Sequence, residues 1–314
     1  MLKKDISTTD RMGWADLLWY DETVDARPID ELATFRHFED TGWITTRSDW
    51  GSDAVMVGFK CGPPHGHAVQ ALYDRMKTFH QIVNGHGHPD VGQFDIFAYG
   101  RHLAVDDAYP KPKWTKNHNT IIVNGTGQLG EGSDWFDRDA VFVVKPASHI
   151  IKAENTARFD YIIGDAGNIY PKSAGLGKFY RHLVYVKPDL ILVVDELQSC
   201  KSSGFEWRLH AGGPLRQMDS DYCIVENDGV NMDICFVHPT DITIGIKEKV
   251  LSGSFTGAGE QIMAVVMHPR KAADSPALIK SYSLVGGLLD VVIQYGNETK
   301  NIRLDVAGRK VTIF

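Results

Sequence analysis

Imidazoles and carboxylates crowd one stretch of this 314-residue chain: Asn84-Gly85-His86-Gly87-His88-Pro89-Asp90, then Asp106, then Asn117-His118-Asn119-Thr120. Histidine nitrogen and aspartate oxygen are donors for a borderline divalent metal ion, and an uncharged imidazole also carries protons near neutral pH. His86 and His88 stand two apart, so in extended backbone both project to one face and could share a ligand. On spacing alone, both would bind metal. Asp106 closes the apolar segment Leu103-Ala104-Val105, and His118 comes just before Thr120-Ile121-Ile122-Val123. Each sits at a strand end, where loops present functional side chains. Asp90 and Asn119 have a plainer reading as turn caps that hydrogen-bond to nearby backbone. Asp90 could also be proposed as the carboxylate base of a metal hydrolase. The second histidine pair, His65 and His67, reads as a solvated loop with no carboxylate nearby in sequence.

These side chains must be positioned by the elements around them. Beyond Gly42 the chain breaks into short segments rich in Val, Ile, Phe and Tyr, separated by turn residues. They include Gly42 to Ser48, Ala54 to Lys60, Gln93 to Tyr99, Thr120 to Asn124, Val141 to Lys145, Arg181 to Val186, Leu190 to Val194, Phe205 to His210, Val230 to Val237, Gln261 to Met267, Asp290 to Tyr295 and Asn301 to Asp305. Turn chemistry at Pro188-Asp189, Asn227-Asp228-Gly229 and Gly286-Gly287 supports the strands. Many strands at hairpin spacing with few crossover helices predict an all-β fold, a large antiparallel β-sandwich. Residues 1–40 read as a helical or irregular leader, with Met12, Ala15, Leu18 and Trp19 at helical spacing, and residues 41–314 as the sandwich. Val69, Leu72, Met76, Phe79 and Val83 predict one inserted helix beside the histidine run.

The 33 Lys and Arg are scattered through a chain of formal net charge -7, which disfavours a nucleic-acid partner, since phosphate binding needs a clustered basic stripe. Cys61, Cys200, Cys223 and Cys235 lie far apart without CxxC spacing, so neither a zinc ribbon nor a redox motif is indicated. No window approaches membrane-span length, and no apolar stretch follows Met1-Leu2-Lys3-Lys4 to make an export signal.

The ordered set Gly42-Trp43, Arg47-Ser48-Asp49-Trp50, His86-Gly87-His88-Pro89-Asp90 with Phe94 and Tyr99-Gly100, Leu103-Ala104-Val105-Asp106, His118-Asn119-Thr120, Val123-Asn124-Gly125 and Gln128 resembles the C-terminal β domain of heparinase II/III-like polysaccharide lyases. Arg181-His182, Val186-Lys187-Pro188-Asp189 and Val193-Val194-Asp195 continue the likeness to about residue 210. The resemblance implies a supersandwich fold and a lyase that cleaves uronate-containing acidic polysaccharide, such as a glycosaminoglycan or alginate, by β-elimination. It implies a structural Zn2+ held by His88, Asp106 and His118, with His86 facing the sugar as the catalytic imidazole. An N-terminal helical toroid would supply the opposite wall of the cleft. With about forty residues before the sandwich, the chain reads as the C-terminal half of a longer enzyme, a truncated gene product or a protein that has lost half its cleft. The leader reads as a remnant of the toroid, and an N-terminal helical domain or partner chain is an expected partner. A homo-oligomer is compatible, and a periplasmic or extracellular location is implied.

Trp114 could stack on a sugar ring and Lys113 or Lys116 pair with a uronate, while Asn119, Arg208 and His210 are further candidate substrate contacts. On Phe205 to His210 alternation places Glu206, Arg208 and His210 on one face, where a Glu206 to Arg208 ion pair on plain solvent is the alternative. The rival for the whole chain is a non-catalytic carbohydrate-binding or structural sandwich that keeps the metal as a staple.

Overall fold

The computed structural model describes residues 18–25, 27–75, 86–106, 112–132 and 147–314. The chain divides into a leader, Met1–Ala33, and a body, Thr34–Phe314. In the leader Leu18 and Trp19 are helical and a 3-10 turn spans Ile29–Glu31, whereas Met12 and Ala15 lie outside the described residues. The body starts earlier than residue 41, because Phe35–Phe38 already forms a strand. Its alternation of half-buried and exposed side chains is that of a sheet edge, a weak signal in sequence.

Three antiparallel sheets make the body. The first holds β1 (Phe35–Phe38), β2 (Trp43–Arg47), β3 (Val55–Lys60), β4 (Gln93–Ala98) and β5 (Arg101–Ala104) in that spatial order. The second has ten strands: β6 (Ile121–Val123), β7 (His149–Asn155), β8 (Phe159–Asp165), β9 (Leu176–Val186), β10 (Leu190–His210), β11 (Leu215–Gln217), β12 (Tyr222–Asn227), β13 (Val230–His238), β14 (Thr243–Lys247) and β15 (Val250–Lys271). The third runs β16 (Leu278–Val285), β17 (Leu288–Tyr295), β18 (Glu298–Asp305) and β19 (Lys310–Ile313).

The ten-stranded sheet is the middle layer. Along β10, Ile191 and Val193 pack with Ile44, Phe59 and Phe94 of the first sheet, while Leu190, Leu192 and Val194 pack with Leu289, Val291 and Ile302 of the third. Burial on both faces explains the unbroken apolar run Leu190 to Val194, where a one-sided strand would alternate. It also joins two expected segments, since Leu190 to Val194 and Phe205 to His210 belong to one 21-residue strand. The polar stretch between them looks like a turn, but the strand stays paired with β15 except for an irregularity between Ser199 and Ser203.

Among the described residues of the body one helix stands besides the short turns, α1 (His67–Arg75), with Asp40 Oδ1 accepting the Ala68 N–H at 2.7 Å. Met76, Phe79, Val83 and the expected strand Val141 to Lys145 lie outside the described residues. Among the described residues no helix is long and apolar enough to cross a membrane.

A buried knot links the middle sheet to the chain entering the third. Asp233 on β13 accepts hydrogen bonds from Arg270 Nε at 2.8 Å, the Tyr222 hydroxyl at 2.7 Å and the Ala277 N–H at 2.8 Å. Burial raises the carboxyl's pKa, but bonds from His268, Arg270 and Tyr222 outweigh it and hold the group at about 2.

Candidate metal centre

Three backbone segments converge at the end of the first sheet. The histidine run leads into β4, β5 runs out through Val105 to Asp106, and a 3-10 turn over Thr115–Asn117 ends at His118 before β6. They bring Asp90, Asp106 and His118 together, each offering a ligand atom within 4.8 Å of the others. His118 Nδ1 stands 2.7 Å from Asp106 Oδ1, and the His88 ring meets the His118 ring edge-on at 5.3 Å between centroids. His118 and His88 are buried, whereas His86 is exposed. The two histidines that spacing treats alike thus occupy different environments.

The electrostatics favour a cation. Burial, then the neighbouring His118, push the His88 pKa down to about 4, so its imidazole is neutral at pH 7, the form that binds metal. Burial raises the Asp106 carboxyl, but the His118 hydrogen bond and charge outweigh it and leave the group below the usual carboxylate range. Asp95 is pushed up to about 7 by burial and then by the negative charges of Asp106 and Asp90. With the His118 proton on Nδ1 toward Asp106, Nε2 presents a lone pair, and this buried atom has no hydrogen-bond partner among the described residues. The His118 imidazole with its orphaned nitrogen and the neighbouring carboxylate oxygens are a donor set that fits a borderline divalent ion. The His88 ring lies beside them, although it is Asp90, not His88, that completes the group at ligand distance.

Asp90 is held otherwise. Lys60 Nζ lies 2.5 and 2.6 Å from its two oxygens in a pair almost closed to solvent. A carboxylate so neutralised is a poor general base, which argues against the hydrolase reading. Lys60 had no sequence signal, because thirty residues separate it from its partner and only the β3 to β4 pairing, with Lys60 opposite Gln93, brings them together.

Several expected substrate contacts have structural work instead. Asn119 is fully buried: its Nδ2 donates to Phe94 O at 2.8 Å and Val105 O at 2.9 Å, and its Oδ1 accepts the His210 N–H at 2.7 Å. One amide therefore ties β4, the approach to Asp106 and the end of β10 to the residue beside His118. Arg181, fully buried and paired with Asp195, adds a second tie by donating from Nη1 to Gly92 O at 2.6 Å and Asn119 O at 2.7 Å. Lys113 is also fully buried, its Nζ donating to Gly87 O at 2.8 Å, so it fixes the histidine turn and is not presented to a uronate. His210 is buried, with Nε2 3.0 Å from Lys116 O. Arg208 is half-buried, pairs with Glu206 and donates from Nε to Lys116 O at 2.9 Å. Trp114 stays half-buried with Lys116 Nζ 5.2 Å from its ring centre, so of the expected contacts it keeps an open aromatic edge.

His65 was expected in a solvated loop, yet a Cβ on Gly87 would fall 2.8 Å from its Nε2. His65 therefore backs the turn between His86 and His88, and a larger residue at Gly87 would have to push its ring aside. The spacing of twenty-odd residues through α1 hid this contact from sequence.

A family model described as "Heparinase II/III-like, C-terminal" matches residues 30–281. The chain belongs to that family. Among solved structures the heparinase-like body resembles heparan sulfate lyase HepC from Pedobacter heparinus, with a TM-score of 0.63 and 16% identity over 87% of this chain and 43% of that one. A heparinase III gene product with methylated lysines gives 0.63 and 16%, over 92% and 45% of the two chains. Another heparinase III structure gives 0.60 and 12%, over 86% and 42%. These likenesses establish the shared β-sandwich fold, and the chain spans less than half the length of each of these proteins. The family match ends inside β16, so β17 to β19 complete the third sheet beyond it.

Proposed function

We propose that this heparinase-like chain is the sandwich half of a polysaccharide lyase that cleaves a uronate-containing acidic polysaccharide, a glycosaminoglycan or alginate, by β-elimination. The observation that supports it above others is the convergence of Asp90 from the histidine run, Asp106 and His118 into one cluster, with the buried His88 ring against His118 and the exposed His86 two residues before it. Elimination removes the proton alpha to the uronate carboxylate, breaks the C–O bond to the departing sugar and returns a proton to that oxygen. His86 would touch the sugar and either move a proton or offset charge growing on the carboxylate. His88, Asp106 and His118 would hold zinc. When bound, the ion would fix the three segments together and add positive potential beside the groove. Around it, Lys113 fixes the turn that carries His86, and Asn119 with Arg181 fixes the segment that carries His118.

The opposite wall of the cleft would come from a helical domain or partner chain, and such a polymer would be met in the periplasm or outside the cell. The test is the ultraviolet absorbance of a 4,5-unsaturated uronate during incubation with heparan sulfate, hyaluronate, chondroitin sulfate and alginate. Absorbance growth on one of them supports the lyase. Saccharide binding without any such growth would refute catalysis by this chain.

A further inference from the structure

The face of the first sheet that points away from the core is built unlike an ordinary solvent face. Strand register sets Trp43, Lys60 and Gln93 in one row, Thr45, Gly58 and Asp95 in the next, and Arg47, Met56, Phe97 and His102 in a third. The first row abuts the metal centre through the Lys60 to Asp90 pair and through Gln93 Nε2, 3.4 Å from Asp106 Oδ2. Gly58 leaves a depression in the middle, walled by Asp95 and Trp43: an added Cβ would stand 3.6 Å from Asp95 Oδ2 and 3.8 Å from Trp43 Cζ3. A cavity of about 920 Å³ opens on the β4 and β5 side, lined by Met56, Asp95, Phe97 and His102 and ending at Asp106 and His210. That volume lies in the range of small-molecule sites, about 300–1,000 Å³.

Two features point to a ligand and to its kind. Asp95 Oδ1 is shielded from solvent yet has no hydrogen-bond partner among the described residues, a costly state for a buried acceptor. Beside it, Met56 and Phe97, paired across the strands, present half-buried apolar surface. A pyranose ring has matching halves, a face of C–H groups and an edge of hydroxyl donors.

We propose that this face is a pyranose subsite continuing from the metal centre, in which Asp95 accepts a hydrogen bond from a sugar hydroxyl while the ring lies against Met56 and Phe97. The proposal rests on the saccharide reading above and makes Asp95 a specificity-determining residue.

The test is calorimetric binding of tetrasaccharides from heparan sulfate, hyaluronate and alginate, with cellotetraose as the neutral comparison, to the full chain. Asp95→Leu should weaken binding at least tenfold, while Asp95→Asn, which keeps an acceptor oxygen, retains part of it. Gly58→Val is the independent variant. Gly58 lies outside the left-handed region and its added Cβ makes ordinary contacts, so the depression fills without backbone strain and binding should fall similarly. Thermal melts confirm that each variant is folded. If all three bind an acidic tetrasaccharide as wild type does, the subsite is wrong and the polysaccharide reading stands. If cellotetraose alone binds, in an Asp95-dependent way, the subsite stands and the uronate reading falls. No binding of any probe by wild type overturns both.

Discussion

Asn119→Ala separates the role that residue type suggests from the role the fold assigns. The substitution removes two donors and one acceptor, leaving Phe94 O, Val105 O and the His210 N–H without their amide partner in a fully buried setting. Each buried group so abandoned costs about 1–3 kcal/mol, giving roughly 3–6 kcal/mol after partial relaxation. Against a total stability of about 5–15 kcal/mol this is severe. For a domain of this size about 1 kcal/mol moves Tm by roughly 2–4 °C, so a fall of roughly 6 °C or more is expected. The assay is thermal and urea unfolding, with bound metal measured on the same samples. Metal content should fall too, because Val105 and Asn119 are the neighbours of two proposed ligands. A variant whose Tm lies within about 2 °C of wild type, with saccharide affinity selectively lost, would refute the reasoning and restore Asn119 to substrate contact.

Other expectations follow from the same geometry. His118→Ala should lower bound zinc and Tm together, since metal binding and folding are coupled at such a site; unchanged metal content would reject the ligand. His86→Ala should reduce turnover with metal retained, and zinc loss there would mean that the two histidines are divided wrongly. Lys60→Met strands the buried Asp90 carboxylate and should cost about 3–5 kcal/mol in urea unfolding, with Lys60→Met/Asp90→Leu recovering much of it. Asp233 has a folded-state pKa depressed from 3.8 to about 2, so its stabilisation is fully present above about pH 4 and is lost as pH falls toward 2. That amounts to about 2 kcal/mol. Between pH 5 and pH 2 the wild type should lose this increment of urea stability relative to Asp233→Asn, and parallel pH profiles would show that the knot is not what resists acid.

The strands of the middle sheet were legible because burial on both faces writes itself as apolar runs, Leu190 to Val194 and Gln261 to Met267 among them. Edge elements were not. Phe35–Phe38 and the polar centre of β10 owe their conformation to partners across the sheet, and local composition says little there. At the site, type and clustering pointed to His86, His88, Asp106 and His118. They misassigned Lys113 and Asn119, whose polar ends are consumed by backbone groups 25 or so residues away.

The sequence by itself determined the β-sandwich class and the family, because periodicity, turn chemistry and an ordered motif are local properties. Only the tertiary structure decided the long-range contacts: Lys60 on Asp90, His65 behind Gly87, Asn119 on Phe94 and Val105, and Asp95 with a shielded Oδ1 that has no hydrogen-bond partner among the described residues. Those outcomes depend on which strands pair and which groups lose water, and chain segments far apart in sequence settle both.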